Sequence, residues 1–260
     1  MKQYRNKGTL KEFTKYCQRL KIMGIPFTTE TYGNTGKVIF PNKTVYCFTN
    51  NKNMDVVNLC KVASINANKW LRNNEVPENL KSAPIKKYNK KRIKELVGRN
   101  VVSIDLNHCY WRIAYLEGII SEKTYKLGLE PEGIDEKEKQ DYKQNRLIAI
   151  GNLNKQIKVT DEEDKIKIIK KPVSVCWDYI LFKVAQIYQK LYEMLGEDLL
   201  WWQTDEVVTL QNRVLEVVGM FSEMELPYKI DDLYLNRIEN NKLYYYSEAK
   251  QKERKLSVSF

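Results

Sequence analysis

Histidine is nearly missing from this chain: His108 is the single one in 260 residues. Cysteine is sparse and unpatterned, with Cys17, Cys47, Cys60, Cys109 and Cys176 and no Cys-x-x-Cys pair. That excludes a zinc site of the usual spacing and a disulfide framework, and it suits the reduced thiols of a cytoplasmic compartment. No run of 18 apolar residues occurs, which excludes a helical membrane span. The opening Met-Lys-Gln-Tyr-Arg-Asn-Lys lacks an apolar stretch, so no secretory signal is expected. There are no internal repeats. The chain is 43% hydrophobic with 17 Tyr, too apolar for a disordered protein, and its length suffices for one good core or two modest ones.

The net charge of +11 is unevenly placed. Residues 1–100 hold 21 Lys and Arg against 6 Asp and Glu, while residues 101–260 hold 23 against 27. A basic lobe beside a carboxylate-bearing lobe suits a nucleic-acid enzyme, one part neutralising phosphates and the other holding cations. The plain alternative is a soluble basic surface.

The pattern predicts two lobes. Residues 1–95 form a small basic α/β lobe and linker: a helix from Leu10 to Met23, a hairpin of Lys37–Phe40 and Thr44–Phe48, and a helix from Val56 to Leu71. Asn73 to Lys94 reads as a linker, and its basic residues Lys86, Lys87, Lys90, Lys91 and Arg92 around Tyr88 are candidates to track a nucleic-acid strand. Residues 96–260 read as an α+β layer, helices covering one face of an antiparallel sheet. A strand ends at Asp105. A charged stretch, a helix and a hairpin make an insertion at about 120–172. A strong amphipathic helix spans Val175 to Leu195, a strand–turn–strand surrounds Asp205, a helix spans Asn212 to Met224, and strands cover Tyr228–Ile238 and Lys242–Ser247.

Two stretches carry the chemistry: Val101-Val-Ser-Ile-Asp-Leu-Asn-His-Cys-Tyr-Trp111 and Leu200-Trp-Trp-Gln-Thr-Asp-Glu-Val-Val208. Each delivers one aspartate, Asp105 or Asp205, to a strand end. Two carboxylates on adjacent strands make a site for divalent metal, and two such ions suit phosphoryl or nucleotidyl transfer.

This second lobe resembles the palm of family B DNA polymerases. Their first palm motif, Asp-x-x-Ser-Leu-Tyr-Pro-Ser, often with Asn two after the Asp, stands here as Asp105-Leu-Asn107-His-Cys-Tyr110-Trp-Arg; Asp, Asn and Tyr match, and the other positions are His108, Cys109, Trp111 and Arg112. Their Asp-Thr-Asp-Ser motif stands as Gln203-Thr204-Asp205-Glu206, so only the second aspartate is kept. Their Lys-x-Tyr fits Lys242-Leu-Tyr244, and their fingers motif fits loosely on Arg146-Leu-Ile-Ala-Ile150-Gly151-Asn-Leu153-Asn154. The likeness spans about residues 95–248. No segment matches the exonuclease domain, and the 16 residues after Tyr244 are expected to leave no room for the usual thumb.

The resemblance implies a polymerase-type palm with reduced fingers. Asp105 and Asp205 would hold two Mg²⁺ (or Mn²⁺) ions and add dNTPs to a primer 3′-hydroxyl on a DNA primer-template. Backbone amides of Leu106, Asn107 and onward to Tyr110 would meet phosphate oxygens, Tyr110 would exclude a 2′-hydroxyl, Arg146 with Lys143 would hold the triphosphate, and Lys242 and Tyr244 the primer. Low processivity, no proofreading and a processivity or assembly partner follow, in a bacterial or phage-infected cytoplasm. Gln203 opens a second reading, a catalytically silent nucleic-acid-binding or assembly subunit. A metal-dependent nuclease is a third, although it would call for three or four acids. His108 beside a strand end reads as structural, Glu206 as solvent-facing, and Trp201 and Trp202 as sheet packing.

Overall fold

The computed structural model describes residues 3–32, 35–49, 54–77, 80, 86–154, 156–160 and 166–256. In chain order these form β1 (Gln3–Gly8), α1 (Leu10–Ile22), β2 (Thr28–Tyr32), β3 (Thr35–Ile39), β4 (Thr44–Thr49) and α2 (Met54–Asn73). There follow β5 (Lys86–Tyr88), α3 (Lys90–Glu95), β6 (Asn100–Leu106), α4 (Cys109–Leu116), α5 (Glu122–Leu127), α6 (Glu136–Gly151), β7 (Gln156–Thr160) and β8 (Ile166–Lys170). The remainder is α7 (Ser174–Leu195), β9 (Leu199–Gln203), β10 (Glu206–Thr209), α8 (Val214–Glu223), β11 (Tyr228–Glu239), β12 (Lys242–Ser247) and β13 (Lys252–Leu256). The turn between β7 and β8, and much of the segment before β5, lie outside the described residues.

Two compact units emerge: residues 1–76 with 118–178, and residues 77–117 with 179–260. This division corrects the two-lobe expectation at two places. The 120–172 stretch is no insertion of the second lobe, because β7 pairs with β2 and extends the N-terminal sheet to the order β1-β4-β3-β2-β7-β8. Nor are residues 86–94 a tether: β5 pairs with β9, and α3 buries Ile93 completely.

In the first unit local signals fix the helix starts. The Glu12 carboxylate accepts the Thr9 N–H at 2.6 Å and its hydroxyl at 3.0 Å, while Asp135 accepts the Glu138 N–H at 2.8 Å. Helix α1 lays Phe13, Tyr16, Cys17 and Leu20 on Val38 and Phe48 of the sheet. Gly36 permits this approach, since a Cβ there would stand 2.8 Å from the Phe13 ring.

The second unit is a βαββαβ core with flanking strands, its seven strands in the order β13-β12-β11-β6-β10-β9-β5, all antiparallel. On one sheet face Trp202 stacks on Tyr188 of α7 (centroids 5.1 Å apart, planes at 13°) and Phe221 of α8 meets Tyr228. Helices were expected on one face, and the other carries none of the long ones. Instead it holds a core of its own: Val101, Trp201, Val208, Leu233, Leu235, Leu243, Tyr245 and Leu256, closed by Ile93. Trp201 on β9 and Tyr245 on β12 have ring centroids 6.0 Å apart, although three strands lie between them, about 19 Å in a flat sheet. The sheet therefore curls strongly about this face, and the unexpected strand β13 completes its rim.

Candidate active site

Two tight turns bring the aspartates together. Strand β6 ends at Leu106 and α4 begins at Cys109, the reversal absorbed by His108 at φ 56°. The β9–β10 hairpin turns on Thr204-Asp205, with Thr204 at φ 60°. A non-glycine residue in that left-handed region costs on the order of 1 kcal/mol, so the surroundings must hold it. They do: the Tyr188 hydroxyl donates to the Thr204 carbonyl at 2.9 Å, the Asp205 N–H donates to the Gln203 carbonyl at 2.7 Å, and the Asp205 carbonyl accepts the Leu106 N–H at 2.8 Å. That last bond ties the Asp205 turn to the strand end bearing Asp105.

Strand register then lines up a row across the sheet: Lys86, Gln203, Glu206, Asp105 and Lys229 are successive cross-strand partners on β5, β9, β10, β6 and β11. Directly opposed residues share a face, so this row lies on the concave side. Asp105, Asp205, Glu206, Gln203 and Thr204 line a cavity of about 370 Å³ there, with Tyr88, Tyr245, Lys86, Lys250 and Arg254. Glu206 is half-buried and accepts the Ser103 hydroxyl at 2.8 Å, a correction to its expected place in solvent. The Tyr88 hydroxyl donates to Gln203 Oε1 at 3.4 Å.

The charge of both aspartates reaches the same neighbours. Burial, then Asp205 and Asp105, push the Cys109 thiol up. Burial, then Cys109, Asp205, Tyr110 and Asp105, push the Tyr188 phenol up. Tyr110 rises through burial, Cys109 and Asp205. All three stay protonated around neutral pH.

Other expected residues are placed differently. The Leu106 and Asn107 amides are committed to the Asp205 and Pro227 carbonyls, so they cannot also meet a phosphate. Arg146 is 3% exposed, donating to the Gly128 carbonyl and to Glu130, each at 2.6 Å; it holds its own unit together and presents no open cation. Lys143 is exposed on α6 in that same unit. Strand alternation puts Lys242 and Tyr244 on the face opposite Tyr245, so the Lys-x-Tyr pair turns away from the aspartate row. Arg237 covers the Tyr244 ring at 4.4 Å. Among the basic candidates, Lys86 lines the cavity, Lys90 and Lys91 are exposed, and Arg92 pairs with Glu95 at 3.0 Å. Lys87 stacks on Tyr192, 3.4 Å from its centroid, on the other face. Sequence reading missed Lys250, Arg254 and Tyr245 in the cavity wall. The alternation of Leu243, Tyr245 and Ser247 as buried residues was the available signal for the tyrosine.

Among the described residues no group of three or more His, Cys, Asp or Glu side chains forms a metal cage. A divalent ion in this cavity would rest on the two aspartates. That pair fits Mg²⁺, which is commonly held by one or two carboxylates and completes its shell with water and substrate phosphate oxygens. Among the described residues no helix is long and apolar enough to cross a membrane. Fold and site together define an α+β protein with paired strand-end aspartates in a polar, cation-rimmed cavity. Compared with known proteins, the chain matches no family model and no curated sequence.

Proposed function

We propose that this chain is a small palm-type nucleotidyltransferase, adding dNTPs to a DNA 3′ end in a cytoplasmic, bacterial or phage setting. The observation that carries the reading is the bond between the Leu106 N–H and the Asp205 carbonyl, which locks together the two strand ends bearing the aspartates. The βαββαβ order, with the first aspartate ending the first strand and the second in the hairpin turn beside it, supports a palm. Asp105 and Asp205 would hold the divalent ions, which supply charge neutralisation at the phosphates and acidify the 3′-hydroxyl. The protein's own share is positional: Tyr188 and Leu106 fix the Asp205 turn, Glu206 and Ser103 fix the β6–β10 register, and Tyr110 borders the aspartates as an uncharged phenol. With the Leu106 and Asn107 amides occupied, backbone contact with a phosphate falls to the first turn of α4. Low processivity, with help from an assembly partner, belongs to the same reading.

Extension of a DNA 3′ end with Mg²⁺ and dNTPs, offered both as a free single strand and on a primed template, tests this directly. Asp105→Asn and Asp205→Asn should each abolish incorporation, as should chelation of the metal; extension that survives both substitutions ends the assignment. Gln203 keeps the second reading in play. At the position of a family aspartate stands a neutral amide bonded to Tyr88, as in a palm retained for binding. Salt-sensitive DNA binding with no Mg²⁺-dependent product would select that reading.

A further inference from the structure

The curl of the second unit gives its cavity an unusual charge plan. Carboxylates occupy the middle of the sheet, on β6, on β10 and in the Asp205 turn. Cations come from the rim: Lys86 from β5 at one edge, Arg254 and Lys255 from β13 at the other, and Lys250 from the turn before β13. None of these four pairs with a carboxylate of a described residue, although acids line the same cavity. Elsewhere on the unit four of the five other arginines are tied: Arg92 to Glu95, Arg112 to Glu225, Arg237 to Glu253 and Arg213 to Glu216. Cations without a carboxylate partner, set apart from the acids of the same cavity, suit a ligand that brings phosphates to the first and divalent ions to the second.

The space limits the form of that ligand. A cavity of about 370 Å³, with Tyr88, Tyr245 and Leu256 among its lining residues, has the size of an ordinary small-ligand pocket. Its cations come from both edges of the sheet and from the turn before β13, so they can meet phosphates at more than one point of a ligand. A duplex major groove alone is about 12 Å wide, and a double helix cannot enter such a space.

We infer that the concave face of this sheet receives a single nucleic-acid strand end, its phosphates held by Lys86, Lys250 and Arg254 and its terminus directed to Asp105 and Asp205. This rests on the nucleotidyltransferase reading for the role of the aspartates, whereas the strand grip can be measured without it. The strand hold thus passes from Lys242 and Tyr244 to the other face of the same hairpin.

The test uses the full chain, with no divalent ion and no nucleotide, and measures fluorescence anisotropy of a labelled 12-mer of thymidylate across a salt series. The slope of log affinity against log salt should shrink by about 2 in the Lys86→Gln/Lys250→Gln/Arg254→Gln variant, as expected for three lost contacts to a single strand. Arg237→Gln, on the opposite face, should leave it unchanged, and thermal melting verifies that both variants fold. Unlabelled single strand should compete far better than a blunt duplex of the same length or than dATP at equal phosphate. An unchanged slope in the triple variant overturns the grip. Equal competition by blunt duplex overturns the single-strand preference, and superior competition by dATP assigns the cations to a free triphosphate. Loss of synthesis in Asp105→Asn bears on the chemistry alone, so either idea can fail without the other.

Discussion

Removing one oxygen from Tyr188 should separate turn positioning from folding. The ring is 2% exposed and stacked on Trp202, and Tyr188→Phe keeps both features. What disappears is the 2.9 Å bond to the Thr204 carbonyl. Such a bond contributes about 1 kcal/mol net. Thr204 is half-buried, so water can reach its carbonyl and keep the total cost near 1 to 1.5 kcal/mol. Thr204 nevertheless sits at φ 60°, and without the bond from α7 its turn can relax and carry the Asp205 carboxylate with it. A misplacement of about 1 Å at reacting groups can lower a rate on the order of a hundredfold. The expected result is a small shift of the urea midpoint, followed by intrinsic fluorescence, together with a ten- to hundredfold fall in kcat for primer extension and little change in KM. Tyr188→Ala should cost about 3 to 5 kcal/mol, because the stack is lost as well. A Tyr188→Phe enzyme of full kcat would show that the turn needs no support from the helix. A loss above about 3 kcal/mol would show that the hydroxyl serves the core rather than the site.

Arg146→Met should destabilise the first unit by about 3 to 5 kcal/mol, since Glu130 and the Gly128 carbonyl lose a buried partner; thermal melting reads this, and a variant of normal stability with weakened dNTP binding would restore the nucleotide role. Burial pushes the Cys176 thiol up to about 12, from an ordinary value of 9. The fold thus favours the protonated thiol: its contribution is complete below about pH 9 and is lost as pH rises toward 12, by up to about 1.4 kcal/mol per unit. Melting temperature should be flat from pH 6 to 8 and fall above 9, less steeply in Cys176→Ala; identical slopes would refute the attribution. Ser103→Ala should cost about 1 kcal/mol, measured by urea unfolding, because Glu206 loses its hydroxyl donor.

Much was decided locally and could be read from the chain itself. Apolar spacing located α1, α2, α7 and α8, and the β-rich runs located β6, β9, β10, β11 and β12, since amphipathic period is a property of contiguous residues. With those came both aspartates and their strand-end positions. The short or charged elements escaped: β5, α3 and β13 are dominated by Lys, Arg and Glu; the two strands form because a sheet edge offers them hydrogen bonds, and α3 because it is capped by Asn89 and buries Ile93. Register was likewise invisible. Whether Tyr244 or Tyr245 faces the aspartates depends on pairing with β11 and on the irregularity between Leu235 and Arg237, and a shift of one residue exchanges the faces. Arg146 looked like an open cation because nothing near it in the chain announces Gly128 and Glu130 as partners. The sequence by itself determined which residues could do chemistry; tertiary pairing alone decided which of them share a face, because strand parity and sheet curl arise between segments distant in the chain.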